Sequence, residues 1–131
     1  MSTENVQIVR RLVEAFNDRD LEAMFAVLHP QAELHPLRAQ LEGKAYVGHD
    51  GLRELLADFD QDWEYVQMDP EDFRGTDDSV VVLGRLRARA RASGMDLDVP
   101  MGFVWTLRER KVVRGRTFSD PADAMRAAGL E

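Results

Sequence analysis

An arginine placed among large apolar side chains is the first feature of this 131-residue chain that could do chemistry. From Leu97 to Leu107 apolar residues alternate with smaller or more polar ones, which is the period of a strand with one buried face. A two-residue turn at Glu109-Arg110 would set Phe103 opposite Arg116 of a following strand. A buried arginine needs a carboxylate partner or an anionic ligand. The pattern therefore predicts either a structural ion pair or a ligand-anchoring group at Arg116.

His35 and Asp120 are the other candidates for catalysis. His35 stands before a proline at the end of a predicted strand, where an imidazole could move a proton near neutral pH. The alternation lets its ring face either a pocket or solvent. Asp120 also precedes a proline, so it is either a helix N-cap or an acid/base group. The three histidines lack metal-ligand spacing, so we predict no metal and no cofactor.

Aromatic and methionine side chains are expected to surround these polar groups. Because the wall of a cavity is part of the core, lining a pocket and filling the core are compatible roles for them. The predicted ligand-contacting residues are Phe16, Tyr46, Trp63, Met101, Phe103, Trp105 and Phe118.

The elements that must position these residues follow from periodicity and turn chemistry. Helices are predicted over Glu4 to Asn17, from the N-cap Asp20 through Leu28, over Asp50 to Phe59, and from Pro121 to Gly129. Strands are predicted over Ala32 to Leu37, Trp63 to Phe73, Ser79 to Ala92, Leu97 to Arg108 and Val112 to Phe118. Helices followed by an antiparallel meander indicate an α+β domain with its helices on one sheet face.

Four arginines share one face of the long strand from Ser79 to Ala92: Arg85, Arg87, Arg89 and Arg91. A two-residue turn at Ser93-Gly94 would place Arg91 opposite Asp96 and Arg89 opposite Asp98. Those ion pairs and the net charge of −7 argue against a nucleic-acid surface. We therefore predict a solvated or partner-facing arginine ladder, with the valines of this strand facing inward.

Composition limits the class of protein. A chain of 131 residues with 44% hydrophobic residues predicts a single domain over 1–131. The absence of cysteine excludes a disulfide framework and a thiol nucleophile. No apolar run approaches membrane length, so we expect a cytoplasmic protein without a membrane partner.

Several strings of the chain resemble the SnoaL-like branch of the nuclear-transport-factor-2-like superfamily. They are Ala15 to Glu22, His29 to Leu34, Tyr46 to Leu52, Lys111 to Arg114, and Asp120 with Ala124 to Leu130. The resemblance implies a cone-shaped fold, in which a strongly curved antiparallel sheet carries helices packed on its concave face around a pocket. It also implies a homodimer through the outer sheet face, near Val81, Leu83, Val104, Thr106 and the arginine ladder.

Activities differ widely within that superfamily, so function must be argued from the site. The ketosteroid-isomerase pattern has an aspartate where this chain has His35, and its first-helix tyrosine has no counterpart here. The polyketide-cyclase pattern has a pocket aspartate, for which Asp120 is the candidate. We expect a pocket protein that binds or transforms a small, largely apolar molecule with a carbonyl or carboxylate. Arg116 would hold the oxygen and His35 would move a proton; a non-catalytic dimeric binding or scaffold module is the alternative.

Overall fold

The structure, a computed structural model, describes residues 2–130 and contains five helices and six strands in that range. The helices are α1 (Ser2–Asp18), α2 (Leu21–Val27), α3 (Leu37–Leu41), α4 (Gly48–Asp62) and α5 (Pro121–Ala127). The strands are β1 (Leu28–His35), β2 (Tyr46–Val47), β3 (Trp63–Gly75), β4 (Ser79–Ala90), β5 (Asp96–Arg108) and β6 (Lys111–Phe118). None of the helices in this range is long and apolar enough to cross a bilayer.

The strands form one curved, unclosed sheet in the order β2-β1-β6-β5-β4-β3. Neighbouring strands are antiparallel except β1 and β6, which are parallel. β1 comes before the β3–β6 meander in the chain. The last strand of that meander, β6, runs beside β1 in the same direction, which makes this pair parallel. The predicted α+β class is confirmed, with one parallel pair added to the antiparallel sheet.

The concave face of the sheet holds the core. Alternate residues of β4 and β5 meet across it, as in Val80 with Trp105 and Val82 with Phe103. Helices α1, α2 and α4 supply the opposing apolar side chains, including Val9, Met24 and Leu52, which are almost completely buried. Each such side chain stabilises the fold by about 1.5–3 kcal/mol relative to an exposed one.

The arginine ladder lies on the opposite face, as predicted, but its cross-strand partners are two residues away from those expected. The connection between β4 and β5 spans residues 91–95 rather than two residues, so Arg89 pairs with Asp96. A shift of two keeps every side chain on its face, because the side-chain period of a strand is two. Three of the four arginines form ion pairs: Arg89–Asp96 at 2.8 Å, Arg85–Asp98 at 2.6 Å and Arg87–Asp69 at 2.5 Å. The fourth, Arg91, donates to the Asp60 carbonyl oxygen at 2.6 Å.

The register of the next hairpin differs from the prediction by one residue, and this changes the face of Arg116. The turn at Glu109-Arg110 is confirmed, with φ of 51° and 66°, and Leu107 pairs with Val112. Beyond that pair a bulge shifts the register, so Arg116 lies opposite Val104 instead of Phe103. A one-residue shift moves all later side chains to the other face. The expectation that Arg116 lies on the concave face is therefore wrong.

The convex face is partly covered by α5, which is an exception to the expected packing of helices on the concave face. A Cβ on Gly102 would lie 2.6 Å from the Cβ of Ala124, so the helix approaches the sheet closely at this glycine. Val81, expected on a partner surface, is completely buried within the single chain. A homodimer through the remaining outer surface stays a prediction.

Two elements, α3 and β2, were not predicted; they lie between the end of the predicted strand at Leu37 and the start of the predicted helix at Asp50. Pro36 precedes α3 in an extended conformation, and the helix has only five residues. Gln40 holds it in place by donating hydrogen bonds to the carbonyl oxygens of His35 at 2.7 Å and Thr117 at 2.9 Å. A tertiary contact of this kind has no periodic signal in the sequence.

Asn17 connects α1 to the edge strand β3 through both halves of its amide. Its Nδ2 donates to the Met68 carbonyl oxygen at 2.8 Å, and its Oδ1 accepts from the Met68 N–H at 2.9 Å. We expect Asn17→Ala to lower the free energy of unfolding by about 1–3 kcal/mol, because both backbone groups lose their partner. Urea denaturation measures this, with the exposed amide Gln7→Ala as the matched control. Equal effects of the two substitutions would contradict the structural role of Asn17.

Candidate functional site

A cavity of about 840 Å³ lies between the concave face of the sheet and helices α3 and α4. Most of its wall is apolar, and residues of α1 to α4 and of all six strands contribute to it. Six aromatic residues line it: Phe16, Tyr46, Phe59, Trp63, Phe103 and Trp105. Cavities of this size and composition are typical of sites for small molecules.

Two aromatic pairs shape the wall. The rings of Phe103 and Trp105 are nearly parallel, 16° apart, with centroids separated by 6.4 Å. The rings of Phe16 and Phe59 meet edge to face at 6.3 Å. Trp105 packs on Gly115, and its Nε1–H is buried without a hydrogen-bond acceptor among the described residues. The wall therefore offers flat apolar surfaces and contains one unsatisfied donor.

The strongest polar feature of the cavity is a hydrogen bond between Tyr46 and Asp58. Tyr46 begins β2 and is buried, whereas Asp58 lies on the third turn of α4 and is half-buried. The phenol Oη donates to Asp58 Oδ2 at 2.5 Å. Both residues line the cavity, so this pair gives the apolar chamber a local polar point. A hydrogen bond to an ionised carboxylate is stronger than one between neutral groups.

The protonation state of Tyr46 follows from its surroundings. Burial raises the pKa of Tyr46 to about 12, and the hydrogen bond and charge of Asp58 act in the same direction, as do the charges of Glu54 and Glu42. The phenol is therefore neutral at physiological pH. Its single O–H group donates the hydrogen bond to Asp58. The pair therefore presents oxygen acceptors to the cavity and has no O–H left to donate to a ligand.

This ionisation can be observed directly. In a Tyr65→Phe background, Tyr46 is the only tyrosine, and we expect its ultraviolet absorbance change to have a midpoint near pH 12. The folded pKa lies above the unfolded value of about 10, so the contribution of Tyr46 to stability is complete below pH 10. It is lost as the pH rises from about 10 to about 12. The measurements are an absorbance titration and urea denaturation at several alkaline pH values.

The matched control for that titration is Tyr46→Phe with Tyr65 retained. This variant should lack both the late absorbance change and the associated loss of stability between pH 10 and pH 12. A late transition that persists without Tyr46 would assign it to another group and contradict the structure.

Charged side chains at the mouth of the cavity pair with one another. Arg38 on α3 lies 2.8 Å from Asp62 at the end of α4, and 3.9 Å from Glu42. Lys44 lies 3.6 Å from Glu54 and sits over the ring of Tyr46, 4.8 Å from its centroid. These contacts connect α3 and the following loop to α4 beside the opening.

His35 lines the cavity at the end of β1, and its imidazole pairs with Glu33. Its Nε2 lies 3.1 Å from Glu33 Oε1, and both residues alternate with Leu34, which is buried and lines the cavity. Its backbone carbonyl accepts from Gln40. The imidazole is therefore paired with Glu33, and no hydrogen bond joins it to the Tyr46–Asp58 pair within the described residues.

Three predicted site residues lie outside the cavity lining: Arg116, Phe118 and Asp120. The exposed Arg116 donates to Gln40 Oε1 at 3.2 Å, and its guanidinium lies 4.7 Å from the ring centroid of Phe118. Asp120 accepts from the Ala122 N–H at 2.9 Å and is the N-cap of α5. The bulge in β6 and the start of α5 account for these positions. The other predicted ligand-contacting residues, Phe16, Tyr46, Trp63, Met101, Phe103 and Trp105, line the cavity.

Sequence reasoning missed Asp58. A signal for it existed, since Asp58 lies three residues after Leu55 and next to Phe59, within the apolar stripe of a helix that faces the core. A carboxylate at such a position needs a partner when it is buried. Its partner, Tyr46, lies on a different element, which periodicity alone does not reveal.

No group of three or more His, Asp or Glu side chains within residues 2–130 has the arrangement of a metal site.

Comparison with known proteins supports the fold. Residues 9–115 match the SnoaL-like domain family. An NTF2-like protein from Burkholderia pseudomallei is 26% identical, with a TM-score of 0.81 over 96% of this chain and 97% of that chain. A candidate SnoaL-like polyketide cyclase from Jannaschia is 22% identical, with a TM-score of 0.78 over 99% of this chain and 94% of that one. A candidate polyketide cyclase from Xanthomonas campestris is 16% identical, with a TM-score of 0.79 over 93% and 94%.

Comparison with curated proteins gave no match. The likeness to the two cyclase candidates concerns the fold, because identity in both cases is below a quarter. The family match covers most of the chain, including all the strands that enclose the cavity except the last residues of β6. The chain thus belongs to the SnoaL-like domain family, within the NTF2-like fold.

Proposed function

We propose that this protein binds a small, largely apolar molecule in the cavity on the concave face of its sheet. The observation that supports this most directly is the combination of about 840 Å³ of space with a six-ring aromatic wall and one polar pair, Tyr46–Asp58. Apolar surface removed from water in such a chamber supplies most of the affinity, and the polar pair orients the ligand.

Two roles expected from the sequence do not fit the geometry of the cavity. A ligand carboxylate and a proton-transfer role both depended on Arg116 and His35 converging on the cavity. Arg116 is exposed on the other face, and His35 pairs with Glu33. Trp105 Nε1–H lies under protein atoms and is closed to the cavity, so it does not mark a position for a ligand carbonyl.

The two tryptophans of the chain, Trp63 and Trp105, both line the cavity, so intrinsic fluorescence can report its occupancy. The probe is 2-adamantanone, a compact apolar ketone whose n→π* absorbance is weak beside that of the indole. We expect saturable fluorescence change and a higher melting temperature in its presence.

A blocking variant tests whether the probe occupies the cavity. Ala90 lies at the end of β4, lines the mouth and is only partly buried, so Ala90→Phe should fill the opening without disturbing the core. We expect affinity to fall by about tenfold or more. Ala57→Phe, on the exposed side of α4, is the control and should bind as the wild type does. No binding by the wild type, or full binding by folded Ala90→Phe, would overturn the proposal.

A further inference from the structure

Asp58 in the cavity wall carries a negative charge that no neighbouring cation among the described residues neutralises. Among residues 2–130, no cation lies within ion-pair distance of this carboxylate. Its protein partner is the neutral phenol of Tyr46, at 2.5 Å. A half-buried carboxylate that is not neutralised by the protein favours a positively charged partner from elsewhere.

The cations at this end of the cavity are already engaged. Arg38 pairs with Asp62, and Lys44 pairs with Glu54. Glu42, another carboxylate of the lining, has only the long contact with Arg38 at 3.9 Å. Negative charge therefore exceeds positive charge around the phenol, in agreement with the three carboxylates that act on Tyr46.

The remaining wall suits the same kind of ligand. Aromatic faces attract cations through their quadrupole, and Phe59 and Trp63 follow Asp58 closely along the chain and line the same cavity. An apolar body would contact the rings deeper in the chamber, while the exclusion of water strengthens the contact with the carboxylate.

We propose that the ligand of this cavity is an apolar molecule carrying a protonated amine, which Asp58 binds as an ammonium ion while Tyr46 positions the carboxylate. The inference rests on the proposed function and specifies the class of ligand. An ammonium N–H donates to a free lone pair of the Asp58 carboxylate, and the phenol oxygen offers a second acceptor. An anionic ligand of the same shape is repelled.

The proposed preference for an ammonium ion is tested with three probes that share one apolar body and differ in charge. They are adamantane-1-methylamine, adamantane-1-methanol and adamantane-1-carboxylate, with Kd measured by calorimetry and by tryptophan fluorescence at about pH 7. We expect the amine to bind about tenfold more tightly than the alcohol, or better, and the carboxylate to bind most weakly.

Three variants show whether Asp58 causes the preference for the amine. Asp58→Asn removes the charge with little change of shape, so the amine should lose its advantage over the alcohol. Asp62→Asn removes a different carboxylate of the cavity lining, one already paired with Arg38, and should keep the amine preference. Tyr46→Phe should reduce the preference for the amine without abolishing it. The charge of Asp58 remains, but without the phenol its carboxylate can adopt other rotamers.

The outcomes separate the two proposals. If the alcohol binds but the wild type does not prefer the amine, the inference is overturned and the pocket function stands. The same holds if folded Asp58→Asn keeps the full preference. If neither 2-adamantanone nor any of the three charged or neutral analogues binds the wild type, the pocket function fails and the inference fails with it.

Discussion

Gly84→Ala is expected to lower the free energy of unfolding by about 3 kcal/mol or more, the largest effect of any substitution considered. Gly84 lies in β4 opposite Met101 of β5 and Pro70 of β3. A Cβ at this position would lie 2.2 Å from the Asp69 carbonyl oxygen and 2.9 Å from Pro70 Cα. Both obstacles are backbone atoms, so no side-chain rotation relieves the clash.

The reason for this close approach is the curvature of the sheet. The pairing of β3 with β4 shifts register between Pro70 and Asp72, next to Gly84. Bulges and glycines together bend antiparallel sheets, and this bend helps to form the concave face that carries the cavity. A side chain here would force the two strands apart, and the loss of pairing would flatten the cone.

Urea denaturation of the wild type and Gly84→Ala measures the loss. Gly43→Ala is the control, because a Cβ there meets no atom within 4 Å although its φ of 67° disfavours alanine. We expect Gly43→Ala to lower the free energy of unfolding by about 1–2 kcal/mol, because alanine disfavours the left-handed conformation. A Gly84→Ala protein as stable as that control would show that close packing of β3 on β4 is not required.

Gly115→Ala is expected to cost about 1–3 kcal/mol of stability and, in addition, to weaken binding of 2-adamantanone by about tenfold or more. A Cβ on Gly115 would lie 2.3 Å from Cζ3 and 2.6 Å from Cε3 of the Trp105 indole. The indole stands on the concave wall, and the sheet behind it cannot move back. The ring therefore has to shift away from the sheet, which takes up space inside the cavity.

A double substitution identifies the cause. Trp105→Leu removes the ring that the new methyl group meets, so Gly115→Ala should cost clearly less stability in that background than in the wild type. Melting curves give the stability difference, and fluorescence of Trp63, then the only tryptophan, reports probe binding. If Gly115→Ala costs the same with and without the indole, contact between these two residues is not responsible.

Much of the fold was predictable because its signals are local. Alternating residues in β4 and β5 identified the strands and the faces they present, and both faces were confirmed. Asp20 and Asp120 are the N-caps of α2 and α5, accepting from the backbone N–H of Ala23 and Ala122. A cap depends on residues two or three positions apart, so the sequence contains all the information it needs.

The candidate site was less predictable, because its parts come from distant positions. Tyr46 was identified as a pocket aromatic, but its partner Asp58 was not, since β2 and α4 present them to each other only after the chain has folded. Arg116 was placed on the wrong face. The error came from one extra residue in β6, Val113, which lies between the pairs Leu107–Val112 and Thr106–Arg114. Bulges of this kind leave no clear pattern in a short strand.

The sequence by itself determined the α+β class, the strand faces, the helix caps and most of the aromatic wall, since these depend on periodicity and on neighbours along the chain. The tertiary structure alone decided which polar groups enter that wall. A bulge in β6 turned Arg116 outward, Gln40 fixed α3 over the opening, and the packing of α4 brought the carboxylate of Asp58 to the phenol of Tyr46. Register and long-range contacts are set by the closing of the whole sheet, and no local pattern encodes them.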